Sequence, residues 1–329
     1  MRSMTLKALA CIAAAVLAAA PAWGQTKKQI KLSHSSQAST DSELHQASLV
    51  FEQEIAKTAP TLEVKIYAAN ALGQERDVYE AMQLGSGATC AISGTAILTN
   101  FNKRLGVLDL PFLWRDYDHV HKMLDGSVGT TLAKELEGNG FKVVAWLDSW
   151  GYRNIISAKK PITKPEDIKG MKIRTIPTPL YVAALNAMGA NATPMAFGEV
   201  YNAMQTGVLD GFEHSAAMTY ANKFYEVAKY GALTRHLFGP IAFACSMKEW
   251  QKFSPDEQQK ILAAAAKVRE NNRQLAPVKE KEAFDALKAK GMTFSEIDTS
   301  GFRKAAVKVQ DDLAKERGAT DLLNAIRAP

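Results

Sequence analysis

Residues 172–215 read KIRTIPTPLYVAALNAMGANATPMAFGEVYNAMQTGVLDGFEHS. The stretch enters on Met171-Lys172-Ile173-Arg174-Thr175-Ile176, whose apolar residues recur every second position, the period of a half-buried strand. Thr178-Pro179 supplies an N-cap followed by proline at the first helical position. Leu180, Ala183, Ala184, Ala187 and Met188 then recur at helical spacing up to Gly189, a stop residue. A second helix is expected over Phe197, Val200, Tyr201, Met204 and Val208, with Gly207 near its end. A short apolar segment, Val208-Leu209, follows and is closed by Asp210-Gly211. The pattern is strand, helix, loop, helix, strand: an α/β unit with a guanidinium, Arg174, at the exit of its first strand. Open α/β sheets gather ligands outside the carboxyl ends of their strands, so Arg174 is placed to meet an anion.

The N-terminus sets the compartment. Arg2 and Lys7 precede an apolar run from Ala8 to Ala20 and then Pro21-Ala22-Trp23-Gly24. This is the plan of a secretory signal peptide, residues 1–24, cleaved after Gly24; the run is too short to span a bilayer. Cys11 reads as an ordinary residue of the apolar run, not a lipidation site. The remaining chain of about 305 residues has room for two α/β lobes. Losing Arg2 and Lys7 lowers the net charge from +6 to +4. The basic residues are dispersed among acids, which argues against a nucleic-acid partner. Cys90 and Cys245 stand far apart in apolar surroundings. An oxidising compartment permits a disulfide, but buried free thiols are the commoner explanation of such isolated cysteines.

Further alternating or apolar runs predict strands at Gln29–Ser33, Leu62–Ile66, Ala88–Ser93 and Phe141–Leu147, with a helix from Glu75 to Leu84. His34 and Ser35, in the loop after the first strand, either touch a ligand or only turn the chain. Glu75 either reaches a ligand or simply favours its helix N-terminus. Ser93-Gly94-Thr95 offers hydroxyl and backbone contacts or a helix cap. His119 and His121, one residue apart on a helix, point to different faces and cannot chelate a metal as an i,i+4 pair would; they read as surface residues. No zinc-type spacing occurs, so neither a metal nor a cofactor is expected. Asp148–Asn154 reads as the first passage between lobes, with Trp150 and Tyr152 packing the junction or facing the ligand. Ser254-Pro255-Asp256-Glu257 starts a long helix in which Pro277 is expected to introduce a kink.

Several short motifs, in this order, resemble the solute-binding proteins of TRAP (tripartite ATP-independent periplasmic) transporters, the C4-dicarboxylate-binding (DctP-type) group. They are Leu72-Gly73-Gln74-Glu75, Asp109-Leu110-Pro111-Phe112-Leu113 and Pro165-Glu166-Asp167-Ile168-Lys169-Gly170. Gly170-Met171-Lys172-Ile173-Arg174, Glu199-Val200-Tyr201 to Gln205-Thr206-Gly207, and Asp210-Gly211-Phe212-Glu213-His214 complete the set. The resemblance implies a two-lobed periplasmic-binding-protein-like α/β fold with a ligand cleft between lobes and a long bracing helix. Lobe I would comprise residues 25–150 and lobe II residues 151–239. Residues 240–275 would return to lobe I and begin the long helix, and residues 276–329 would pack as C-terminal helices across both lobes.

The resemblance also implies that Arg174 forms a bidentate ion pair with the ligand carboxylate, assisted by Arg153, while Phe197 packs on the ligand. A planar guanidinium suits this role independently, since it presents two parallel donors and stays charged when desolvated; the alternative for each arginine is an internal salt bridge. His214 stands where the family often has asparagine. Glu213 either accepts ligand hydroxyls, favouring a sugar acid over a plain dicarboxylate, or is satisfied within its lobe. The chain is therefore expected to be a monomeric periplasmic binding protein, not an enzyme, delivering an organic-acid anion to the small and large TRAP membrane subunits. The competing functions are an input module for a sensor kinase and a periplasmic enzyme acting on a carboxylate; against the enzyme, no nucleophile elbow, P-loop or H-E-x-x-H motif is present.

Overall fold

The computed structural model describes residues 27–328, so the expected leader and its Cys11 lie outside the described residues. Within them eleven strands form two sheets. The strands are β1 (Lys28–Ser33), β2 (Leu62–Tyr67), β3 (Cys90–Gly94), β4 (Phe141–Leu147), β5 (Arg153–Ser157), β6 (Lys172–Thr175), β7 (Asn191–Pro194), β8 (Gly211–His214), β9 (Tyr230–Leu237), β10 (Ile241–Ser246) and β11 (Thr293–Ser295). The first sheet has the order β2-β1-β3-β10-β4 and the second β11-β9-β5-β8-β6-β7. Each sheet is the centre of one lobe. The chain leaves the first sheet after β4 and comes back to it as β10, which inserts antiparallel between β3 and β4.

Side-chain alternation decides what each sheet face buries. On β10, Phe243 and Cys245 point to one core, with Ile30, Leu32 and Phe51, while Ala242 and Ala244 point to the other, with Tyr79, Phe141 and Leu132. The Phe51 and Phe243 rings meet edge to face at 4.8 Å, a favoured aromatic geometry. Both layers are capped by helices. Two of them are α1 (Glu43–Thr58), started by Ser42, whose side chain accepts from the Leu44 and His45 N–H groups, and α2 (Glu75–Leu84).

The register of β3 against β10 sets Cys90 directly opposite Cys245, and the two are disulfide-bonded. The expectation of free thiols is thus corrected. What decides it is a strand pairing between residues 155 apart in sequence, which no local pattern reveals. The expectation for the histidines also changes. His119 is buried, with Nε2 2.8 Å from the Ile326 carbonyl, and His121 Nε2 lies 2.7 Å from Asp148 Oδ2.

The long helix α3 (Pro255–Ala289) opens with a capping box between Ser254 and Glu257 and runs unbroken through Pro277. It grips the first crossing between lobes. Asn272 Oδ1 accepts from the Asp148 N–H at 2.7 Å, and its Nδ2 donates to the Asp148 carbonyl at 3.2 Å. The Asn272 carbonyl accepts from Trp150 Nε1 at 3.3 Å. About two turns further, Glu280 accepts from the Tyr152 N–H and from the Tyr117 hydroxyl. Gly151, at φ +105°, makes this approach feasible, because a Cβ there would meet Glu280 at 2.7 Å. Asn272→Ala would leave two buried backbone groups of Asp148 unpaired. It should lower stability by about 1–3 kcal/mol, read as a reduced urea midpoint with an unchanged slope.

Candidate functional site

The ends of both sheets converge on one cavity. From the second sheet, β6 and β8 run parallel and β5 antiparallel to β8. The exits of β6 and β8 and the start of β5 therefore share an edge, which brings Arg174, His214 and Arg153 together. From the first lobe come Ser35 after β1, Gly94 at the end of β3, Ser149 after β4, Ile241 at the start of β10, and the first residues of α1 and α2, Glu43 and Glu75.

Arg153 and Arg174 differ in what they do with their charge. Arg153 is locked onto Glu213: Nε contacts one carboxylate oxygen, and Nη2 donates to Oε1 at 2.8 Å and to the Glu213 carbonyl at 2.9 Å. Burial alone would push Glu213 up, but Arg153 beside it prevails and holds it below the usual carboxylate range. Arg174, only 2 % exposed, makes no ion pair among the described residues. Its Nε donates to the Met195 carbonyl at 2.8 Å, Nη1 is buried without a partner, and its plane lies 5.7 Å from the Phe197 ring. Desolvation lowers Arg174 to about 10, so it remains charged at neutral pH. A buried cation with an unused donor calls for an anion.

His214 stands beside the two arginines in the cavity. Its Nδ1 accepts from the Ser215 N–H at 2.9 Å. Burial first, and Arg153 second, hold it well below its ordinary value. Arg153 Nη1, which can only donate, lies 3.4 Å from Nε2. Arg174, Arg153 and His214 of the second lobe thus face the same space.

The other wall is acidic. Glu75 Oε1 accepts from the Ser93 hydroxyl at 2.5 Å. Glu43, at the first position of α1, is buried, and its Oε2 has no partner. Burial pushes Glu43 up to about 7, against the backbone N–H groups of Glu43 and Trp150 and the more distant charge of Arg153. A carboxyl raised in the fold lends stability that is present below its unfolded value and lost as pH rises through about 7. Glu43→Gln should therefore raise the melting point at pH 8, by on the order of 1–3 kcal/mol of stability, and leave it nearly unchanged at pH 4.

Of the nine residues singled out from sequence, Arg174, Arg153, His214, Phe197 and Glu75 line the cavity. The other four do not. Glu213 is fully buried beneath it and bonded to Arg153 of its own lobe. Trp150 is buried against α3. The Thr95 hydroxyl donates to Asp109 at 2.8 Å and sits near the Pro240 carbonyl, fastening the return crossing, while Gly94 meets the cavity in its place. His34 lies in an adjoining cavity of about 210 Å³, its Nε2 3.1 Å from His45 Nδ1. Sequence reasoning missed Glu43, Ser149 and Met218. The signal for Glu43 was there, an acid at a helix start after the first strand, but that pattern fits any surface helix.

Comparison with known proteins sets this geometry in context. The model of the bacterial extracellular solute-binding proteins, family 7, matches residues 34–317. The 2,3-diketo-L-gulonate-binding periplasmic protein of Escherichia coli K12 is 32% identical over 274 residues, 82% of this chain and 83% of the relative. A TRAP periplasmic solute-binding protein from Roseobacter denitrificans with bound L-galactonate superposes with a TM-score of 0.86 at 29% identity. That match covers 92% of this chain and 100% of the neighbour. A second TRAP solute-binding protein, from Polaromonas and bound to D-erythronate, gives a TM-score of 0.86 at 30% identity, over 92% and 99% of the two chains.

Proposed function

We propose, for a chain that belongs to family 7 of the bacterial extracellular solute-binding proteins, that the cavity between its lobes captures a sugar acid by its carboxylate. It is a TRAP-type solute-binding protein, and its task is to hand an organic-acid anion to a membrane transporter. The observation that carries the sugar-acid reading is the charge balance of the cavity. Arg153 is neutralised by Glu213, which leaves Arg174 as the cation with donors to spare. One uncompensated guanidinium matches one carboxylate. The acidic first-lobe wall suits hydroxyl groups, which can donate to Glu75 and Glu43. The two structural neighbours hold hydroxylated monocarboxylates, in keeping with that match.

In this reading Arg174, Arg153 and His214 bind the carboxylate, Phe197 backs Arg174, and Glu75 takes a hydroxyl. Glu213, Trp150, Thr95 and His34 hold these groups in place. Lobe I is residues 27–150 with the return at 240–275, lobe II is residues 151–239 joined by β11, and the helices of 276–328 pack across both lobes. The chain works as a monomer in the periplasm after a leader ending at Gly24 is removed. Lobe closure excludes water and so strengthens the ion pair.

The test is a thermal-shift and calorimetric screen of the mature chain against L-galactonate, D-erythronate, C4-dicarboxylates, neutral sugars and amino acids. A ligand at a hundred times its dissociation constant adds about 2.7 kcal/mol, a visible rise in melting temperature. Stabilisation by the sugar acids is the expected result. Stabilisation only by neutral sugars or amino acids would overturn the reading.

A further inference from the structure

We propose that Glu43 is a specificity-determining residue: its carboxyl holds a hydroxyl at the far end of the captured acid and turns away a second carboxylate. This rests on the sugar-acid reading of the same cavity and adds which end of the ligand is inspected, and by what.

One carboxylate oxygen at the cavity wall lacks a partner. Glu43 is 2 % exposed and lines the cavity, yet its Oε2 is sealed from solvent without a hydrogen-bond partner. Buried polar atoms of native proteins are nearly always paired, so an orphan at a cavity wall marks a place where a ligand group completes the set. The backbone N–H groups of Glu43 and Trp150 face the carboxyl, yet Oε2 keeps no partner. Ser42 already caps α1 through the Leu44 and His45 N–H groups, and an acid serving only the helix dipole has no reason to be shut away from water.

Position then fixes the partner. Arg174, Arg153 and His214 enter from the second lobe, while Glu43 and Glu75 enter from the first. A ligand whose carboxylate is held by Arg174 directs its remaining carbons toward the first-lobe wall. Glu75 is already engaged by the Ser93 hydroxyl; Glu43 Oε2 is not engaged. A ligand hydroxyl satisfies Glu43 in either protonation state, because it can donate to a carboxylate or accept from a carboxyl. A second ligand carboxylate has only acceptors. Opposite an ionised Glu43 it meets like charge in a site closed to water, where repulsion is strong.

The experiment uses two matched pairs that differ only in oxidising the terminal CH2OH to a carboxylate: L-galactonate with galactarate, and D-erythronate with meso-tartrate. Dissociation constants are measured by calorimetry at pH 8 on the wild-type chain and on Glu43→Gln, which keeps the shape and the hydrogen-bonding capacity but has no charge. The wild type should prefer the monocarboxylate of a pair at least tenfold, and Glu43→Gln should bring the ratio below threefold, mostly by improving the diacid. If Glu43→Gln folds poorly, Glu43→Ala, which removes the charge and the hydrogen-bonding group together, should close the same gap while also weakening the monocarboxylate. A wild type that binds a monocarboxylate with a ratio unchanged in the variants overturns the role of Glu43 and leaves the sugar-acid reading standing. A wild type that binds neither monocarboxylate removes that reading, and this proposal with it.

Discussion

Replacing Arg174 with alanine should weaken carboxylate binding by about 2–5 kcal/mol, a rise in dissociation constant from roughly thirtyfold to several thousandfold. The size follows from burial. The guanidinium is 2 % exposed, so the ligand carboxylate it meets has given up its water as well. Removing the cation leaves that carboxylate beside His214 and an Arg153 already neutralised by Glu213, so most of its desolvation is uncompensated. Arg174→Lys should recover only part of the loss, since an ammonium offers no parallel fork. The fold itself should not suffer. Arg174 contributes one hydrogen bond, to Met195, and its desolvation outweighs the attraction of the neighbouring Glu213 and Glu75. The ligand-free variant should melt at or above the wild-type temperature. Calorimetric titration with L-galactonate beside a thermal melt separates the two effects. Unchanged affinity would remove Arg174 from the site.

The second large effect is expected from the disulfide. Cys90→Ser with Cys245→Ser, or reduction of the wild type, should cost about 2–5 kcal/mol, equivalent to roughly 3–8 °C in melting temperature for a chain of this length. The bond closes a loop across a sequence separation of 155, and long loops lose the most entropy when closed in the unfolded chain. The two serine hydroxyls would also sit at fully buried positions now filled by Cys90 and Cys245. Cys90→Ala with Cys245→Ala separates that cost from the lost cross-link. Ligand affinity should change little, because β3 and β10 are also held by backbone pairing along their length. Identical melts with and without reductant would refute this expectation.

Local signals carried much of the fold. β6 and the helix Pro179–Ala187 follow from alternation, a threonine cap and a proline at the first helical position, and all three act within a few residues. α2 and the cap of α3 were legible for the same reason. What failed was set at long range. β7, Asn191–Pro194, carries no apolar alternation; it is a strand because it lies at the sheet edge beside β6, where proline is tolerated. The strand expected at Val208-Leu209 begins instead at Gly211, since it is the pairing of β8 with β5 and β6 that defines it. In the site, the arginines stood out by their placement at strand ends. The division of labour between them did not. It depends on Glu213, one residue before His214, which faces the Arg153 guanidinium from the adjacent strand. Glu43 was hidden because only the docking of α1 turns a routine helix-start acid toward the cavity.

The position of the cysteines has a consequence for chain cleavage. Every strand of the second sheet except β11 lies between Cys90 and Cys245 in sequence. The second lobe is thus carried almost entirely within a covalent ring. A protease that cuts one exposed loop of that lobe, such as Lys159–Lys160, opens the ring without producing two molecules. The nicked protein should keep its full mass on a gel until a reductant is added, and both fragments should remain available to rebuild the cavity. For a protein working outside the cytoplasm, among proteases and without ATP-driven refolding, a single cut need not end its working life.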